Sequence, residues 1–266
     1  MTSRGCAVQP ILFTVEFRKK MAELSQRDRQ EWLASLAARM RRDPSPALAQ
    51  ELREVARGCR LPLIEGVQNQ LGPFSAAHLQ ALLEVPRERF VRADDVERSA
   101  EDTPLPLDDE GLATISAPHA YLLSFRLLEL ETGDTLVELG TGSGYGAALA
   151  AFIVGLAGRV VTFEIDPSLA HWAERTLAGM TNVRLYQGDA VMSAPRWGDA
   201  SKVVVTFAVD SLPGAWIDAL PQGGRLVAPV GPREHDQRLV LVQREGARVV
   251  ESEHGAVRYV KNRSKR

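Results

Sequence analysis

From Thr135 to Gly179 the chain alternates strand-like and helix-like runs around a glycine cluster, and few folds accept that order. Thr135-Leu136-Val137-Glu138-Leu139 is a short apolar run of β-forming residues. Tyr145 to Leu156 has helix length, Arg159-Val160-Val161-Thr162-Phe163-Glu164 is a second strand, and Pro167 to Gly179 a second helix. Further strands are predicted at Val183-Arg184-Leu185-Tyr186, Lys202 to Thr206, Gly224 to Val230 and Arg238 to Val242, with helices over Ala120 to Leu130 and Pro213 to Leu220. Alternation of this kind predicts an α/β fold, a doubly wound and mostly parallel sheet.

Composition removes several function classes. Of 266 residues 45% are apolar and 25% charged, the profile of a chain that folds around a core, and a net charge of −2 gives no global field to hold a polyanion, so no nucleic acid partner is expected. The 2 cysteines, Cys6 and Cys59, lack disulfide or zinc spacing, and His235 and His254 match no metal spacing, so no metal is expected. Cysteine usage and an N-terminus without signal-peptide character fit a reducing, cytoplasmic setting. Leu139 to Gly158 carries no charge, but its glycine cluster and Ala-rich remainder suit a buried helix rather than a bilayer span, so no membrane partner is expected.

Ahead of the α/β pattern the sequence predicts a helical extension, residues 1–62, before a catalytic domain of residues 63–266. Phe17 to Arg42 is amphipathic, with Leu33, Leu36, Ala37 and Met40 on one face; Asp43-Pro44 breaks it. Ser45 caps a second helix, Pro46 opens it, and Gly58 is expected to stop it. The basic run Ala38 to Arg42 reads as a solvated face. A third helix is expected from Ser75 to before Pro86, followed by irregular surface chain from Val85 to Leu107.

The turn Glu138-Leu139-Gly140-Thr141-Gly142-Ser143-Gly144-Tyr145 sits between a strand and a helix, where glycines admit a ligand against the backbone and helix-start amides face it. Read from Glu138 it has the Glu-x-Gly-x-Gly-x-Gly form of S-adenosylmethionine-dependent methyltransferases; read late, from Gly142 through Gly144 to Ala147, it has the dinucleotide form, so a nucleotide-dependent oxidoreductase stays open. Glu164, 20 residues past Gly144, ends the next strand and can accept from both ribose hydroxyls, and Gly188-Asp189 follows the third. Both acids can also serve simply as helix caps.

At Thr114-Ile115-Ser116-Ala117-Pro118-His119 the chain resembles the protein-L-isoaspartate (D-aspartate) O-methyltransferases, whose signature is a T-I-S-x-P segment. The similarity extends over about the last two hundred residues, through Val85-Pro86-Arg87, Phe90-Val91, Asp102, Pro104 to Leu107, Glu138 to Tyr145, Gly223 to Gly231 and Val257-Arg258-Tyr259-Val260. Two segments depart from the family pattern: Ala100 replaces an aromatic residue, and Ala208-Val209-Asp210-Ser211 replaces a small, proline-containing stretch. The resemblance implies S-adenosyl-L-methionine as cofactor, held by Thr114, Ile115, Glu138, Gly140, Thr141, Gly142, Gly144, Glu164, Ile165, Gly188 and Asp189, with Gln237 at a cofactor-side position. It implies isoaspartyl-containing proteins or peptides as substrates, touched by Asp102, Ala117, His119 and Val209, and Ser116 as the catalytic residue. The methyl ester would then collapse to a succinimide off the enzyme. A relative that methylates one dedicated Asp of a partner peptide, using the extension for recognition, is the alternative; oligomeric state is left open.

The chemistry asks little of an acid or base. An α-carboxylate is ionised at neutral pH, so the site must align rather than deprotonate it. Ser116 suits a neutral hydroxyl that orients a carboxylate oxygen; no G-x-S-x-G surrounds it to make it a covalent nucleophile. Without the resemblance, Ser116 fits equally well as an N-cap for the helix after Pro118, and His119 as a structural histidine on its first turn.

Overall fold

The computed structural model describes residues 23–42, 45–232 and 236–264. Cys6, the predicted helical residues 17–22, the Asp43-Pro44 break and His235 lie outside the described residues.

Helix α1 spans Gln26–Arg42 and starts with a reciprocal cap, in which Asp28 N–H donates to Ser25 Oγ and Ser25 Oγ donates to Asp28 Oδ2. Helix α2, Pro46–Leu71, has Ser45 Oγ accepting from the Leu48 N–H at its start, as expected, but it does not stop at Gly58. It continues through Gly58 and Pro62 because Cys59, Leu63, Ile64 and Val67 keep its apolar stripe buried, which outweighs the roughly 1 kcal/mol cost of an internal glycine and the roughly 3 kcal/mol cost of an internal proline. Pro62 has no N–H for the Gly58 carbonyl; the Arg29 guanidinium of α1 donates to it instead at 3.3 Å. The boundary expected after residue 62 therefore falls inside a helix whose two halves serve different cores. Leu48, Val55, Ala56 and Cys59 pack with Leu33 and Leu36 of α1 and with Ala100, whereas Leu63, Ile64 and Val67 join the main core.

Helix α3, Ala76–Glu84, is capped by Ser75 as predicted. The following stretch corrects the expectation of irregular surface chain. It forms short 3₁₀ segments at Arg87–Arg89 and Ala93–Arg98, and Val85, Arg87, Glu88, Phe90, Leu105 and Leu107 are buried. Its prolines and charges hide the burial, since Glu88 is neutralised at 2.7 Å by Arg60 of α2 and the two Nη groups of Arg87 donate to carbonyls. Leu105–Pro106 then pairs with Thr114–Ile115, and α4 covers Pro118–Leu128.

The central sheet comprises β1 Thr135–Leu139, β2 Arg159–Glu164, β3 Val183–Gln187, β4 Lys202–Val205, β5 Arg225–Val230, β6 Arg238–Glu245 and β7 Arg248–Ala256. Its order is β3-β2-β1-β4-β5-β6-β7; the pairs from β3 to β5 are parallel, and β6 and β7 are antiparallel to their neighbours. The mostly parallel sheet is as expected, while β7 was not foreseen: it is an exposed edge strand carrying Arg248, Glu251, Glu253 and His254, charges that suit an edge and mask the β pattern. Helices α5, Tyr145–Val154, and α6, Pro167–Thr176, join α3 and α4 over one core; α7, Gly214–Ala219, with Trp197 and Trp216, covers the other face. Among the described residues no helix is long and apolar enough to cross a membrane. Strand order reverses between β1 and β4, and the crevice beyond their carboxyl ends is where such sheets bind ligands.

Candidate active site

Strand β1 is buried from Leu136 to Leu139, and the chain leaves it through Gly140, Gly142 and Gly144 at φ of 97°, 56° and 98°. The Gly140 and Thr141 N–H groups donate to the Phe163 carbonyl at 2.9 and 3.1 Å, bending the turn toward β2. A side chain at Gly140 would strike Thr206 and the Phe207 ring, so only glycine permits both this φ and this approach. The backbone is left bare toward a pocket lined by Thr114, Gly140, Gly142, Glu164, Ile165 and Asp189, with apolar walls from Phe163, Leu169 and Phe207.

Glu164 closes β2 and spends one oxygen on each side: Oε2 accepts from the Gly142 N–H at 2.7 Å and Oε1 from the Asp166 N–H at 3.0 Å. Burial raises its pKa against the pull of those hydrogen bonds. Asp189 caps the turn after β3 through Val191 N–H at 2.9 Å while lining the pocket. The capping role considered for both acids holds for Asp189 and coexists with its place on the pocket, whereas Glu164 caps no helix: the N-cap of α6 is Asp166, which accepts from Ser168 and Leu169.

Other predicted cofactor residues stand behind the wall. Glu138, Thr141 and Thr162 form a buried chain under the turn: Thr162 Oγ1 donates to Glu138 Oε2 at 2.7 Å and lies 2.6 Å from Thr141 Oγ1. Complete burial, with Glu164 nearby, pushes Glu138 up to about 8. Gly144 is packed against Leu177, Ile115 is buried beside Leu105, and neither these nor Gly188 lines the pocket. Gln237 also lies away from it, braced on the Tyr259 backbone through Nε2 at 3.0 Å and Oε1 at 2.6 Å.

A second cavity adjoins the first, lined by Pro104, Thr114, Ser116, Ala117, His119, Arg258 and Tyr259. Ser116 is 9% exposed; its N–H donates to Tyr121 Oη at 3.2 Å, and its carbonyl accepts from Arg87 at 3.2 Å. The N-cap of α4 is Ala117, which has no side-chain cap, so Ser116 does not cap that helix. The capping carboxylate comes from Asp102: Oδ1 accepts from the His119 N–H at 3.0 Å and Oδ2 from His119 Nδ1 at 2.9 Å. Burial would raise the Asp102 pKa, but these bonds together hold it below the ordinary range. Val209 does not meet the expectation of a substrate contact: it packs into the core, hydrogen-bonded to Pro229 and Gly231, and opens to neither cavity.

The terminal segment also lines the first pocket. Ser264 Oγ donates to Asp189 Oδ1 at 2.6 Å, and Arg263 bridges Asp108 at 2.7 Å and Asp166 at 3.0 Å. A polar tail after the last strand offers no periodicity from which this could be read.

Comparison with known proteins accords with this geometry. The family model described as Protein-L-isoaspartate(D-aspartate) O-methyltransferase matches residues 62–266. The chain belongs to that family. A protein-L-isoaspartate O-methyltransferase of Methanococcus aeolicus is 38% identical over 183 residues, 68% of this chain and 83% of the relative. One of Gloeobacter violaceus is 37% identical over 73% of this chain and 95% of its own. A solved protein-L-isoaspartate O-methyltransferase superposes with a TM-score of 0.70 at 27% identity, covering 76% of this chain and 65% of that one, just under two thirds of its length. A beta-aspartate methyltransferase of Plasmodium falciparum, in complex with S-adenosyl-L-homocysteine, shares the fold with a TM-score of 0.67 at 20% identity. With the family come its methyl donor, S-adenosyl-L-methionine, and its enzyme class, and the oxidoreductase alternative is set aside. The glycine cradle and the two carboxylates at successive strand ends fit that donor.

Proposed function

We propose that the first pocket of this protein-L-isoaspartate O-methyltransferase holds S-adenosyl-L-methionine and the second holds the isoaspartyl α-carboxylate of a damaged protein. Thr114 carries this reading, because it lines both cavities and so marks where donor and acceptor would meet. Gly140 and Gly142 would admit the cofactor against bare backbone, Glu164 would accept its ribose hydroxyls and Asp189 its adenine amino group. When bound, the cofactor supplies an electrophilic methyl on a sulfonium.

Everything else falls to the protein. The acceptor carboxylate arrives ionised and needs no base. Ser116 would orient one of its oxygens, His119 is held in place by Asp102, and the positive side chain of Arg258 stands on the same cavity to attract it. Partial enclosure strips water from the carboxylate and sharpens its nucleophilicity, and alignment contributes several kcal/mol.

Division into residues 1–62 and 63–266 is proposed as the edge of the family-like part of the chain, supported by the start of the family match at residue 62, while helix α2 runs unbroken across it. The extension is proposed to brace the acceptor site, since Arg41 of α1 donates to the Ala93 carbonyl at 2.6 Å and Ala100, two residues before Asp102, packs with α1 and α2. A reducing, cytoplasmic setting is supported by the buried free thiol of Cys59.

Transfer of labelled methyl to a synthetic isoaspartyl peptide and its aspartyl twin tests the reading. Methylation of the first alone, across unrelated sequences, is the expected result. Activity confined to one peptide sequence would favour the dedicated-partner alternative.

A further inference from the structure

Two buried arginines, Arg60 on α2 and Arg87 in the turn after α3, are balanced differently. Arg60 pairs with Glu88 at 2.7 Å, both side chains almost wholly buried. Arg87 is 0% exposed, and among the described residues no carboxylate lies within ion-pair distance of it. Its Nη1 donates to the carbonyls of Ser99 at 3.2 Å and Glu101 at 2.9 Å, and its Nη2 to those of Thr103 at 2.7 Å and Ser116 at 3.2 Å. Its Nε has no hydrogen-bond partner.

Those four carbonyls belong to two segments only. Ser99, Glu101 and Thr103 flank Asp102, the residue that holds His119, while Ser116 is the proposed orienting hydroxyl. A rigid planar fork can hold two strands of backbone at a fixed separation, which a flexible ammonium or a neutral amide cannot reproduce. A buried charge is costly unless paired, so a cation left on carbonyl dipoles behind an anion-binding cavity has a use beyond packing. We infer that Arg87 is a positioning residue for the methyl acceptor, setting the spacing between the Asp102 loop and Ser116 and lending positive potential to the cavity they share. This rests on the reading of the second cavity as the acceptor site. Tyr121 and Tyr145 face the same guanidinium, the Asp102 and Glu101 carboxylates attract it from beyond ion-pair distance, and Tyr121 Oη receives the Ser116 N–H from the other side, so Ser116 is fixed from both directions.

The test compares Arg87→Lys, which keeps the charge and loses the fork, with Arg87→Gln, which keeps some donors and loses the charge. For a positioning role, KM for an isoaspartyl peptide rises roughly tenfold in the Lys variant and more in the Gln variant, while S-adenosylhomocysteine affinity stays within about twofold of the unsubstituted protein. Unchanged KM in active variants would overturn the inference, as would a fall in activity that merely follows the folded fraction and the cofactor affinity. No methyl transfer by the unsubstituted protein would instead remove the acceptor-site reading and this inference with it. If neither variant folds, the wild-type guanidinium decides: its ¹⁵N resonances, marked by slow solvent exchange, shift when isoaspartyl peptide joins the S-adenosylhomocysteine complex. Resonances that stay put would overturn the assignment.

Discussion

Glu164 Oε2 accepts the Gly142 N–H at 2.7 Å, so the acid that ends β2 holds the turn that ends β1. The carboxylate proposed to accept the ribose hydroxyls therefore also sets the geometry of the glycine turn. Both its oxygens already face backbone N–H groups, Gly142 on one side and Asp166 on the other.

A substitution of Glu164 should therefore be more severe than loss of a ribose contact alone. Glu164→Ala is expected to weaken S-adenosylhomocysteine binding by more than the ~1.5–3 kcal/mol of one charged hydrogen bond, because the turn loses its anchor at the same time. Glu164→Gln should be no better, because its amide NH₂ must point at one of two N–H donors. Calorimetry on the three proteins checks this; a Gln variant with wild-type affinity would show that the carboxylate is not shared between loop and cofactor.

Glu138 predicts a pH effect on stability. Its folded pKa, near 8, lies above the ordinary 4.5, so the native state holds a proton that the unfolded state has released between those values. Its contribution is thus fully present below about pH 4.5 and is lost as pH rises through 8, a change of up to a few kcal/mol. Glu138→Gln cannot titrate and retains an oxygen for Thr162. Denaturant unfolding at pH 5 and pH 8.5 should show the wild type losing more stability than the variant across that interval; equal losses would place the proton elsewhere.

Much of this was legible in the sequence, and the failures have physical causes. Strands β1, β2, β4 and β5 announced themselves because parallel strands covered on both faces are continuous apolar runs, while β3, at the sheet edge and only partly buried, showed through its β-forming residues. Thr114, Gly140, Gly142, Glu164, Ile165 and Asp189 line one pocket because strand ends converge there by topology. Glycine and proline misled at α2, where tertiary burial and the Arg29 bond to Gly58 override the local signal. Glu138 could be placed on the strand but not turned inward, since its direction depends on the register that sets it beside Thr162. The terminal contacts of Arg263 and Ser264 depend on where the chain ends up after an edge strand, which no local pattern encodes.

Arg263 joins two carboxylates beside the first pocket, and its side chain is partly exposed. Pairs of that kind contribute about 0–1 kcal/mol and are screened by salt. Arg263→Ala should lower unfolding stability by less than about 1 kcal/mol, with the difference shrinking between low and high ionic strength. Thermal melts at two salt concentrations provide the check; a salt-independent deficit would mean that packing, not charge, is what Arg263 supplies.

Ser116 decides between orientation and covalent chemistry. Its backbone is held by Tyr121 and Arg87 whatever its side chain, so Ser116→Ala should keep the segment in place. It should also keep S-adenosylhomocysteine affinity, because Ser116 lines the second cavity and not the first. Loss of one hydrogen bond to a charged oxygen is worth roughly 1.5–3 kcal/mol, or about ten- to hundredfold in rate. Loss of a covalent nucleophile would cost on the order of a millionfold. Ser116→Thr keeps the hydroxyl and should retain more activity than alanine where the cleft accepts a methyl. Near neutral pH the wild-type rate should be flat with respect to ionisation of the acceptor, which is complete there. Single-turnover methyl transfer separates the cases: a modest decrease with unchanged cofactor binding marks orientation, whereas complete loss, or a methylated Ser116 trapped by mass spectrometry, would make the serine a covalent participant.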